Sequence, residues 1–419
     1  MNQNNNQESI DNGIRYGLDK LGYQNDFKLK DKQKEAVQSF VQGNDVIVLL
    51  PTGYGKSLCF YLLPFISDFL KYKENSLVII VSPLRWLISD QMSYLREREI
   101  PTLNLVDHVD GTSFEDLKFI FTTPEALLGS KKKILVDIYI RKNLLAFIVD
   151  EAHCVLNWGD SFRMEYKLLK KAFRKVPQVQ KMALTATAST SSRDKIKDLL
   201  IFSPSSSSNV SLLEQRDNIK IHFKPTSEVS LMLNKLLDEL LTDPDSIPKT
   251  VIFCSKIKDS TFVYHFFKYY TRNKPFLRNF FQLYTSCTEE TIKKQIAEDF
   301  VQSFSVIKIL VATSAFGMGV DAKEITRIFH ILPPLTLDDY IQQIGRGGRG
   351  DEQVDAFLYF HLKQEDSSKE LKTKNVISPE MKKFLNHSTC KREYIASYYG
   401  FPLKVVERSR CCDYCSDQN

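Results

Sequence analysis

Short apolar runs rich in β-branched residues alternate with longer amphipathic segments in two separate stretches of this chain. Runs that are almost continuously apolar are typical of parallel strands buried on both faces of a sheet. They lie at residues 45–50, 77–81, 119–121 and 146–149 in the first stretch, and at 250–254, 307–312 and 326–330 in the second. Their alternation with helices predicts an α/β fold of two doubly wound parallel-sheet lobes.

The 419 residues exceed what one hydrophobic core usually organises, so more than one domain is expected. We place the lobe boundary in the serine-rich segment 203–209, whose composition suits a loop or hinge, or just after it near Arg216. The predicted domains are a flexible N-terminal tail at 1–17, a first lobe at 18–210, a second lobe at 211–363 and a small helical, basic segment at 364–419.

Composition excludes several classes of protein. The 43% hydrophobic and 26% charged residues are typical of a globular protein. No apolar run reaches the roughly 20 residues that a membrane-spanning helix needs. The eight cysteines, with no secretory signal at the N-terminus, predict a reducing compartment. The net charge of +6 permits polyanion binding without requiring it.

A phosphate-binding loop follows the first apolar run and precedes a helical segment. It runs from Thr52 to Ser57, and the backbone N–H groups around Gly53 and Gly55 are expected to wrap phosphate oxygens. Lys56 would reach the β- and γ-phosphates, and the Ser57 hydroxyl would ligate Mg²⁺. The alternative is a chance Gly-Lys-Ser sequence in a loop, which the order of strand, loop and helix disfavours.

Two adjacent carboxylates, Asp150 and Glu151, end another predicted strand about 95 residues later. Asp150 stands where a phosphate-loop enzyme needs a carboxylate for the Mg²⁺ shell, and Glu151 can orient and deprotonate the attacking water. A solvated strand end is the alternative reading, but the phosphate-binding loop makes it less attractive.

The loop together with Asp-Glu-Ala-His at residues 150–153 resembles superfamily 2 helicases. Residues 154–163 resemble the aromatic-rich loop of the RecQ family, which usually reads Cys-Ile-Ser-x-Trp-Gly-His-Asp-Phe-Arg. Trp158, Phe162 and Arg163 match it. The usual His-Asp pair is replaced at residues 160–161 by Asp-Ser, in a loop that couples DNA contact to ATP hydrolysis in that family.

Further motifs of the first lobe carry the same resemblance. Residues 27–33 look like the adenine-reading motif, which implies that Gln33 bonds the adenine edge and that Lys30 lies nearby. Residues 82–91, 123–125 and 184–188 resemble motifs Ia, Ib and III.

The second lobe contains the matches to motifs V and VI, at residues 312–321 and 342–350. The resemblance implies nucleotide contacts from Asp321 and Gln342. Arg346 and Arg349 lie three residues apart, so at the start of a helix both would point to one face. A planar guanidinium suits a γ-phosphate whose charge spreads in the transition state, and Arg349 is the first choice for an arginine finger. A solvated glycine- and arginine-rich turn is the alternative.

A strand of nucleic acid lying across both lobes would be held mainly through its phosphates, without sequence readout. The candidate phosphate contacts are Ser82, Arg85, Thr123, Ser255 and Thr313. In the aromatic-rich loop, Arg163 is a further candidate contact, and Trp158 and Phe162 offer faces on which bases can stack. Phe162 has a core position as its alternative.

Four cysteines near the C-terminus, Cys390, Cys411, Cys412 and Cys415, resemble the zinc subdomain of the RecQ family. Four thiolates in a small basic segment suit structural Zn²⁺. The spacing departs from the family, because Ser409 stands where a cysteine is usual and Cys411 lies beside Cys412. Some thiols could instead be free, and His387 is a possible substitute ligand.

The resemblance implies an ATP-dependent DNA helicase or translocase with 3′-to-5′ polarity, which uses ATP, Mg²⁺ and Zn²⁺ and hydrolyses ATP at the cleft between its lobes. Its partner would be single-stranded DNA, or a duplex with a single-stranded tail, in a nucleus or nucleoid. Without winged-helix and HRDC domains, a short form is expected to translocate better than it unwinds. Two alternatives stay open: an RNA-directed helicase, and a RecQ-like scaffold that binds nucleic acid but turns over little ATP.

Overall fold

The chain divides into two compact units, Met1–Glu214 and Gln215–Asn419. The computed structural model describes residues 2–51, 53–73, 75–83, 85–107, 116–128, 144–154, 169–212, 216–317, 322, 324–349, 352–361, 377–403 and 406–417. Among these residues, no helix is both long enough and apolar enough to cross a membrane.

The first unit is built on a seven-stranded sheet in which every pairing is parallel. Its strands are β1 (Asp45–Leu49), β2 (Leu77–Val81), β3 (Thr102–Asn104), β4 (Phe119–Thr122), β5 (Leu144–Val149), β6 (Gln180–Thr185) and β7 (Ser207–Ser211). The strand order is β3-β4-β2-β5-β6-β1-β7. All residues of β1, β2 and β4 are buried, as expected for strands covered on both faces.

Two helices of the first unit precede β1, and the others lie between its strands. Those that the structure delimits are α1 (Asn2–Lys20), α2 (Asp31–Val41), α3 (Leu58–Tyr61), α4 (Leu63–Phe69), α5 (Arg85–Arg96), α6 (Pro124–Leu128) and α7 (Thr190–Leu200). Sequence-local signals fix several of their ends. For α7, the Ser189 hydroxyl accepts a hydrogen bond from the Ser192 N–H at 3.1 Å, and Ile201 ends the helix in the left-handed conformation.

The N-terminus corrects one prediction, because residues assigned to a flexible tail form α1. Ile10, Ile14 and Leu18 recur every four residues and are buried in the core of the first unit. The glycine at position 17 lets α1 approach α4 closely, since a Cβ there would lie 3.0 Å from Leu62 Cδ2. The asparagine-rich first residues concealed this helical period.

The serine-rich segment is not the loop or hinge that its composition predicted, whereas the alternative boundary near Arg216 agrees with the division of the chain after Glu214. Residues 207–211 form the edge strand β7, which pairs in parallel with β1. Asp45 holds the segment that leads into β7 beside the sheet, because its carboxylate accepts hydrogen bonds from the N–H groups of Ser203 and Lys181, each at 2.7 Å. The strand depends on main-chain pairing rather than on apolar side chains, so composition alone indicated a loop.

The second unit contains a six-stranded sheet, also parallel throughout. Its strands are β8 (Ile219–Pro225), β9 (Lys249–Cys254), β10 (Phe281–Tyr284), β11 (Ile309–Ala312), β12 (Ile325–Ile331) and β13 (Val354–Phe360). The strand order is β10-β11-β9-β12-β13-β8. The predicted pair of doubly wound α/β lobes is therefore confirmed.

Larger helices flank this sheet, and shorter ones follow it. They are α8 (Val229–Thr242), α9 (Ile257–Tyr270), α10 (Glu290–Val301), α11 (Leu337–Ile344), α12 (Pro379–Asn386), α13 (Lys391–Tyr399), α14 (Arg408–Cys411) and α15 (Asp413–Ser416). The last four pack against the β8 side of the unit, where Phe223 and Phe384 meet edge to face at 5.5 Å. The C-terminal helices thus share a core with the second sheet.

We expect Ile10→Ala to destabilise the first unit by about 2–4 kcal/mol, because it leaves a cavity between α1 and the core. Thermal or urea unfolding measures the change. Asp19→Ala, on the exposed face of the same helix, is the matched control and should change stability little. An equal effect of the two substitutions would show that α1 does not pack as described.

Candidate active site and metal centre

The carboxyl ends of parallel strands meet at one edge of a sheet, and polar residues follow four of them in the first unit. The phosphate-binding loop follows β1, Ser82 follows β2, Thr123 follows β4 and Asp150 follows β5. Because β2 lies between β4 and β5 in the sheet, these groups share one edge. The fold therefore gathers residues that are far apart in the sequence.

The phosphate-binding loop has the backbone that its glycines predict. Gly53 and Gly55 have φ values of +81° and +83°, which L side chains rarely adopt. Lys56 Nζ lies 3.2 Å from the Leu50 carbonyl oxygen and 3.3 Å from that of Pro51, so its ammonium sits over the loop. Ser57 immediately precedes α3. Thr52 lies outside the described residues.

Gln33 is buried and is bonded to the phosphate-binding loop itself. Its Nε2 donates to the carbonyls of Tyr54 at 3.0 Å and Gly55 at 2.9 Å, while its Oε1 accepts from the Lys30 N–H at 2.9 Å. A Cβ at position 55 would lie 2.7 Å from Gln33 Nε2. Gln33 thus fixes the loop, a role that the motif alone did not reveal, and its adenine contact stays a prediction.

A cavity of about 390 Å³ opens beside this loop. Aromatic rings line much of it, and the Tyr23 and Phe27 rings lie 4.2 Å apart. The Lys30 ammonium lies 4.5 Å from the centre of the Tyr54 ring. An apolar cavity with a few polar groups next to a phosphate-binding loop is suited to a nucleotide.

Asp150 is almost fully buried, with 5% of its surface exposed. Its carboxylate accepts hydrogen bonds from Gln91 Nε2 and from the Glu151 N–H, both at 2.9 Å. Burial, followed by the charge of Glu151, raises the pKa of Asp150 to about 6, against the opposing effects of Gln91 and Lys56. A divalent cation would relieve this cost, so the carboxylate fits the predicted Mg²⁺ ligand.

Glu151 has a φ of +47°, a strained conformation for a residue with a side chain. Its Oε2 lies 3.3 Å from His153 Nδ1, which is also 3.1 Å from Thr185 Oγ1. The Thr185 hydroxyl donates to the Thr187 carbonyl at 3.0 Å, so its oxygen is available as an acceptor for His153. Sequence reasoning assigned no role to His153, Thr185 or Gln91, although all three lie within recognised motifs.

The candidate nucleic-acid contacts of the first unit differ in exposure. Arg85 is exposed at the start of α5, whereas Ser82 and Thr123 are buried. Thr123 Oγ1 accepts from the Ala126 N–H at 3.4 Å, at the start of α6. Trp158, Phe162 and Arg163 lie outside the described residues.

In the second unit, Arg346 and Arg349 lie beyond the end of α11 at Ile344, which corrects their predicted place at a helix start. Glycines end the helix, and Gly348 has a φ of +58°. Burial, with the nearby charge of Arg216, lowers the pKa of Arg349 to about 10.

The other candidates of the second unit are only partly placed. Gln342 is half-buried on α11, and Thr313 is buried directly after β11. The Ser255 hydroxyl, after β9, donates to the Pro333 carbonyl at 2.8 Å. Asp321 lies outside the described residues.

The four C-terminal cysteines converge, with their sulfur atoms all within 4.8 Å of one another. Cys390 precedes α13, and Cys412 is an extended residue between α14 and α15. This extended residue lets the adjacent thiols of Cys411 and Cys412 both face the cluster. His387 instead bonds the Thr389 hydroxyl, at 2.8 Å.

The thiols of this cluster interact strongly. Cys390 Sγ and Cys411 Sγ lie 3.5 Å apart. Hydrogen bonds from Cys390 and Cys411 hold the pKa of Cys412 well below its ordinary value. Four convergent sulfurs, one of them readily deprotonated, are compatible with a tetrahedral zinc site.

Comparison with known families agrees with this geometry. Residues 30–196 match the DEAD/DEAH box helicase family, and residues 232–351 match the helicase conserved C-terminal domain. Both are domains of helicases that use ATP with Mg²⁺. The two units and their motifs therefore define the two-lobed core of a DEAD/DEAH box helicase.

Curated relatives narrow the class. The chain is 28% identical to the ATP-dependent DNA helicase hus2/rqh1 of Schizosaccharomyces pombe, over 93% of this chain and 30% of that protein. It is 28% identical to the helicase SGS1 of Saccharomyces cerevisiae, over 93% and 28%, and 30% identical to the RecQ-like DNA helicase BLM of Xenopus laevis, over 80% and 24%. The chain belongs to the RecQ family, and it spans less than a third of the length of these relatives.

Solved structures show the same fold at lower identity. The DUF1998 helicase MrfA bound to DNA has a TM-score of 0.64 at 18% identity, covering 85% of this chain and 52% of that one. The helicase Dbp5 of S. cerevisiae, bound to RNA and ADP BeF3, has a TM-score of 0.58 at 18% identity, covering 84% and 88%. These likenesses support the RecA-like architecture of both lobes.

We expect Gln33→Ala to weaken nucleotide binding by about tenfold, because the two hydrogen bonds that its side chain donates to the phosphate-binding loop are lost. Titration with a fluorescent ATP analogue measures the affinity. Gln38→Ala, on the same helix and bonded instead to Asp11 at 3.2 Å, is the control and should bind normally. Unchanged affinity in Gln33→Ala would mean that the loop is held by other contacts.

Proposed function

We propose that this chain is an ATP-dependent DNA helicase or translocase that moves 3′ to 5′ on single-stranded DNA. The observation that carries the proposal is the pair Asp150 and Glu151 at the same sheet edge as the phosphate-binding loop, the first buried and the second in a strained backbone conformation. Such a pair at such a loop serves nucleoside triphosphate hydrolysis. The relatives hus2/rqh1 and BLM are DNA helicases, which supports DNA as the partner.

Each candidate catalytic residue of the first unit has a defined role in this proposal. Lys56 binds the β- and γ-phosphates, while Ser57 and Asp150 hold Mg²⁺, which supplies charge neutralisation at the phosphates. Glu151 orients the attacking water and accepts its proton. His153 keeps the Glu151 carboxylate in place through their 3.3 Å contact and links it to Thr185.

Arg346 and Arg349 act on the nucleotide from the second unit, with Arg349 as the finger. Guanidinium groups stabilise the charge that spreads over the γ-phosphate oxygens in the transition state. Asp321 and Gln342 add nucleotide contacts. The arginines and Lys56 belong to different units, so hydrolysis needs groups from both, and we propose that coupling of ATP turnover to DNA binding drives movement.

Among the candidate phosphate contacts, the exposed Arg85 and the partly exposed Ser255 hold DNA directly, whereas Ser82, Thr123 and Thr313 are buried and support the loops that meet the phosphates. Arg163 adds a contact, and Trp158 and Phe162 stack on bases. Substrates are single-stranded DNA and duplexes with a single-stranded tail, and the compartment is the nucleus, or a nucleoid in a prokaryote.

We also propose that Cys390, Cys411, Cys412 and Cys415 hold one structural Zn²⁺. The 4.8 Å limit on their sulfur separations supports this, because four ligands at about 2.3 Å from one ion place the sulfurs about 3.8 Å apart. Ligation would join α13, α14 and α15 into one unit.

The rate of ATP hydrolysis tests the proposed function. We expect single-stranded DNA to stimulate ATP hydrolysis in the presence of Mg²⁺. Lys56→Ala should reduce hydrolysis at least about 100-fold, because the phosphate oxygens lose the ammonium that stabilises their charge in the transition state. A phosphate-release assay measures both. Lys175→Ala, an exposed lysine of the same unit, is the control and should behave as wild type.

Three other outcomes would redirect the proposal. Stronger stimulation by RNA than by DNA would favour an RNA-directed helicase. ATP hydrolysis that nucleic acid does not stimulate would mean that the loop at residues 154–163 does not couple nucleic-acid binding to hydrolysis. No turnover, with nucleic-acid binding retained, would favour a scaffold.

The zinc content of the protein tests the proposed metal site. Purified protein should contain one zinc per chain, and Cys412→Ser should lose it and destabilise the second unit by about 3 kcal/mol or more, since metal binding is coupled to folding. Elemental analysis and thermal unfolding measure the two effects. Cys287→Ser, at an exposed thiol of the same unit, should retain the metal. Full zinc content in Cys412→Ser would contradict the proposed ligand set.

A further inference from the structure

Arg216 lies just before β8 and is bonded to the turn that carries the two candidate finger arginines. Its Nη2 donates to the Gly347 carbonyl at 2.8 Å and also to the Gly348 carbonyl. Its Nε donates to Asn218 Oδ1 at 3.3 Å. The carbonyls that Arg216 binds therefore lie between Arg346 and Arg349 in the chain.

The same turn is enclosed on its other sides. Asn218 Nδ2 donates to the carbonyls of Gly348 at 2.8 Å and Glu352 at 2.9 Å, and the Gly348 N–H donates to the Ile325 carbonyl at 2.9 Å. A Cβ on Gly347 would lie 2.8 Å from Val354 Cγ1. The turn thus has little room to move, and Arg216 and Asn218 supply the side-chain bonds that hold it.

Arg216 is held in turn from the cysteine cluster. Arg392, two residues after Cys390 and almost fully buried, donates from Nη2 to the Arg216 carbonyl at 2.9 Å and to the Ile219 carbonyl. Its Nε donates to the Cys411 carbonyl at 3.4 Å. Two side chains, Arg392 and Arg216, therefore connect the cysteine cluster to the turn at residues 346–349, which we call the finger turn.

Stability alone does not explain a second guanidinium at this place. Arg349 is largely buried, and the neighbouring charge of Arg216 adds to burial in lowering the pKa of Arg349. Like charges kept close together disfavour the charged forms and so cost free energy. The carbonyl bonds to Gly347 and Gly348 offset this cost while fixing the backbone from which both finger arginines extend.

We propose that Arg216 is a positioning residue for Arg346 and Arg349, and that Arg392 transmits the state of the cysteine cluster to it. The inference rests on the proposed ATPase function and assigns a route by which the C-terminal segment controls hydrolysis. Displacement of a transition-state group by about 1 Å is sufficient to cost about 100-fold in rate. The effect should therefore fall on kcat, while ATP binding by the first unit is preserved.

The experiment is a double-mutant cycle on the full chain, with kcat and KM for ATP in the presence of single-stranded DNA. Arg349→Ala should lower kcat by about 1000-fold, as expected for an arginine finger. Arg216→Ala should lower kcat by about 10–100-fold, with KM and the dissociation constant of a fluorescent ATP analogue changed less than about twofold. The double variant should be slower than Arg349→Ala alone by less than the full effect of Arg216→Ala, because only the contribution through Arg346 is left to lose.

Controls separate positioning from folding. Arg327→Ala removes a partly buried guanidinium that binds Glu239 at 3.1 and 2.7 Å, so it should lower the melting temperature without lowering kcat. Arg216→Lys keeps one donor and should recover part of the kcat lost in Arg216→Ala; it also serves as the test variant if Arg216→Ala does not fold. Arg392→Lys should lower kcat by about threefold or more with its zinc content unchanged.

The outcomes distinguish this inference from the proposed function. If Arg349→Ala lowers kcat and Arg216→Ala does not, or if the two effects multiply, the positioning role is wrong. An unchanged kcat in Arg392→Lys would overturn the link to the cysteine cluster. If the wild type does not hydrolyse ATP, the proposed function itself fails, and if Arg349→Ala turns over normally, the assignment of Arg349 as the finger fails.

Discussion

The parallel sheet with both faces buried is the constraint on which the rest of this structure depends. Strands such as β1, β2 and β4 leave no exposed face for polar side chains, so chemistry is confined to the strand ends and loops. Each unit obeys this rule separately. In the first unit, Lys56 and Asp150 follow strand ends; in the second, Ser255 and Thr313 do.

The price of this arrangement is charge held away from water. Asp150, Arg346 and Arg349 are largely buried, and both Asp150 and Arg349 have pKa values shifted toward their neutral forms. Residues selected for stability alone would rarely be placed so. The carboxylate of the first unit favours a cation, and the guanidinium groups of the second favour an anion.

The sequence predicted what depends on apolar period and on motif, and it missed what depends on main-chain pairing. All seven apolar runs contribute to strands, whereas β7, with Ser207 and Ser208 on the sheet edge, looked like a loop. Gln33 was recognised, but its bonds to Tyr54 and Gly55 join residues 21 and 22 positions apart, which no local pattern shows. The position of Arg349 beyond α11 depended on where glycines end the helix.

The cysteine cluster packs along the edge of the second sheet and is not a separate domain. β8 is an edge strand, and the Cys412 main chain pairs with Ile221 on it. The Asp413 carboxylate accepts from the Phe223 N–H at 2.9 Å and lies 2.7 Å from His222 Nδ1. Because Arg216 lies just before the same strand, whatever orders the cysteines also orders the strand that begins beside the finger turn. In the role that we propose for Arg216, structural support and control of hydrolysis share one path through β8.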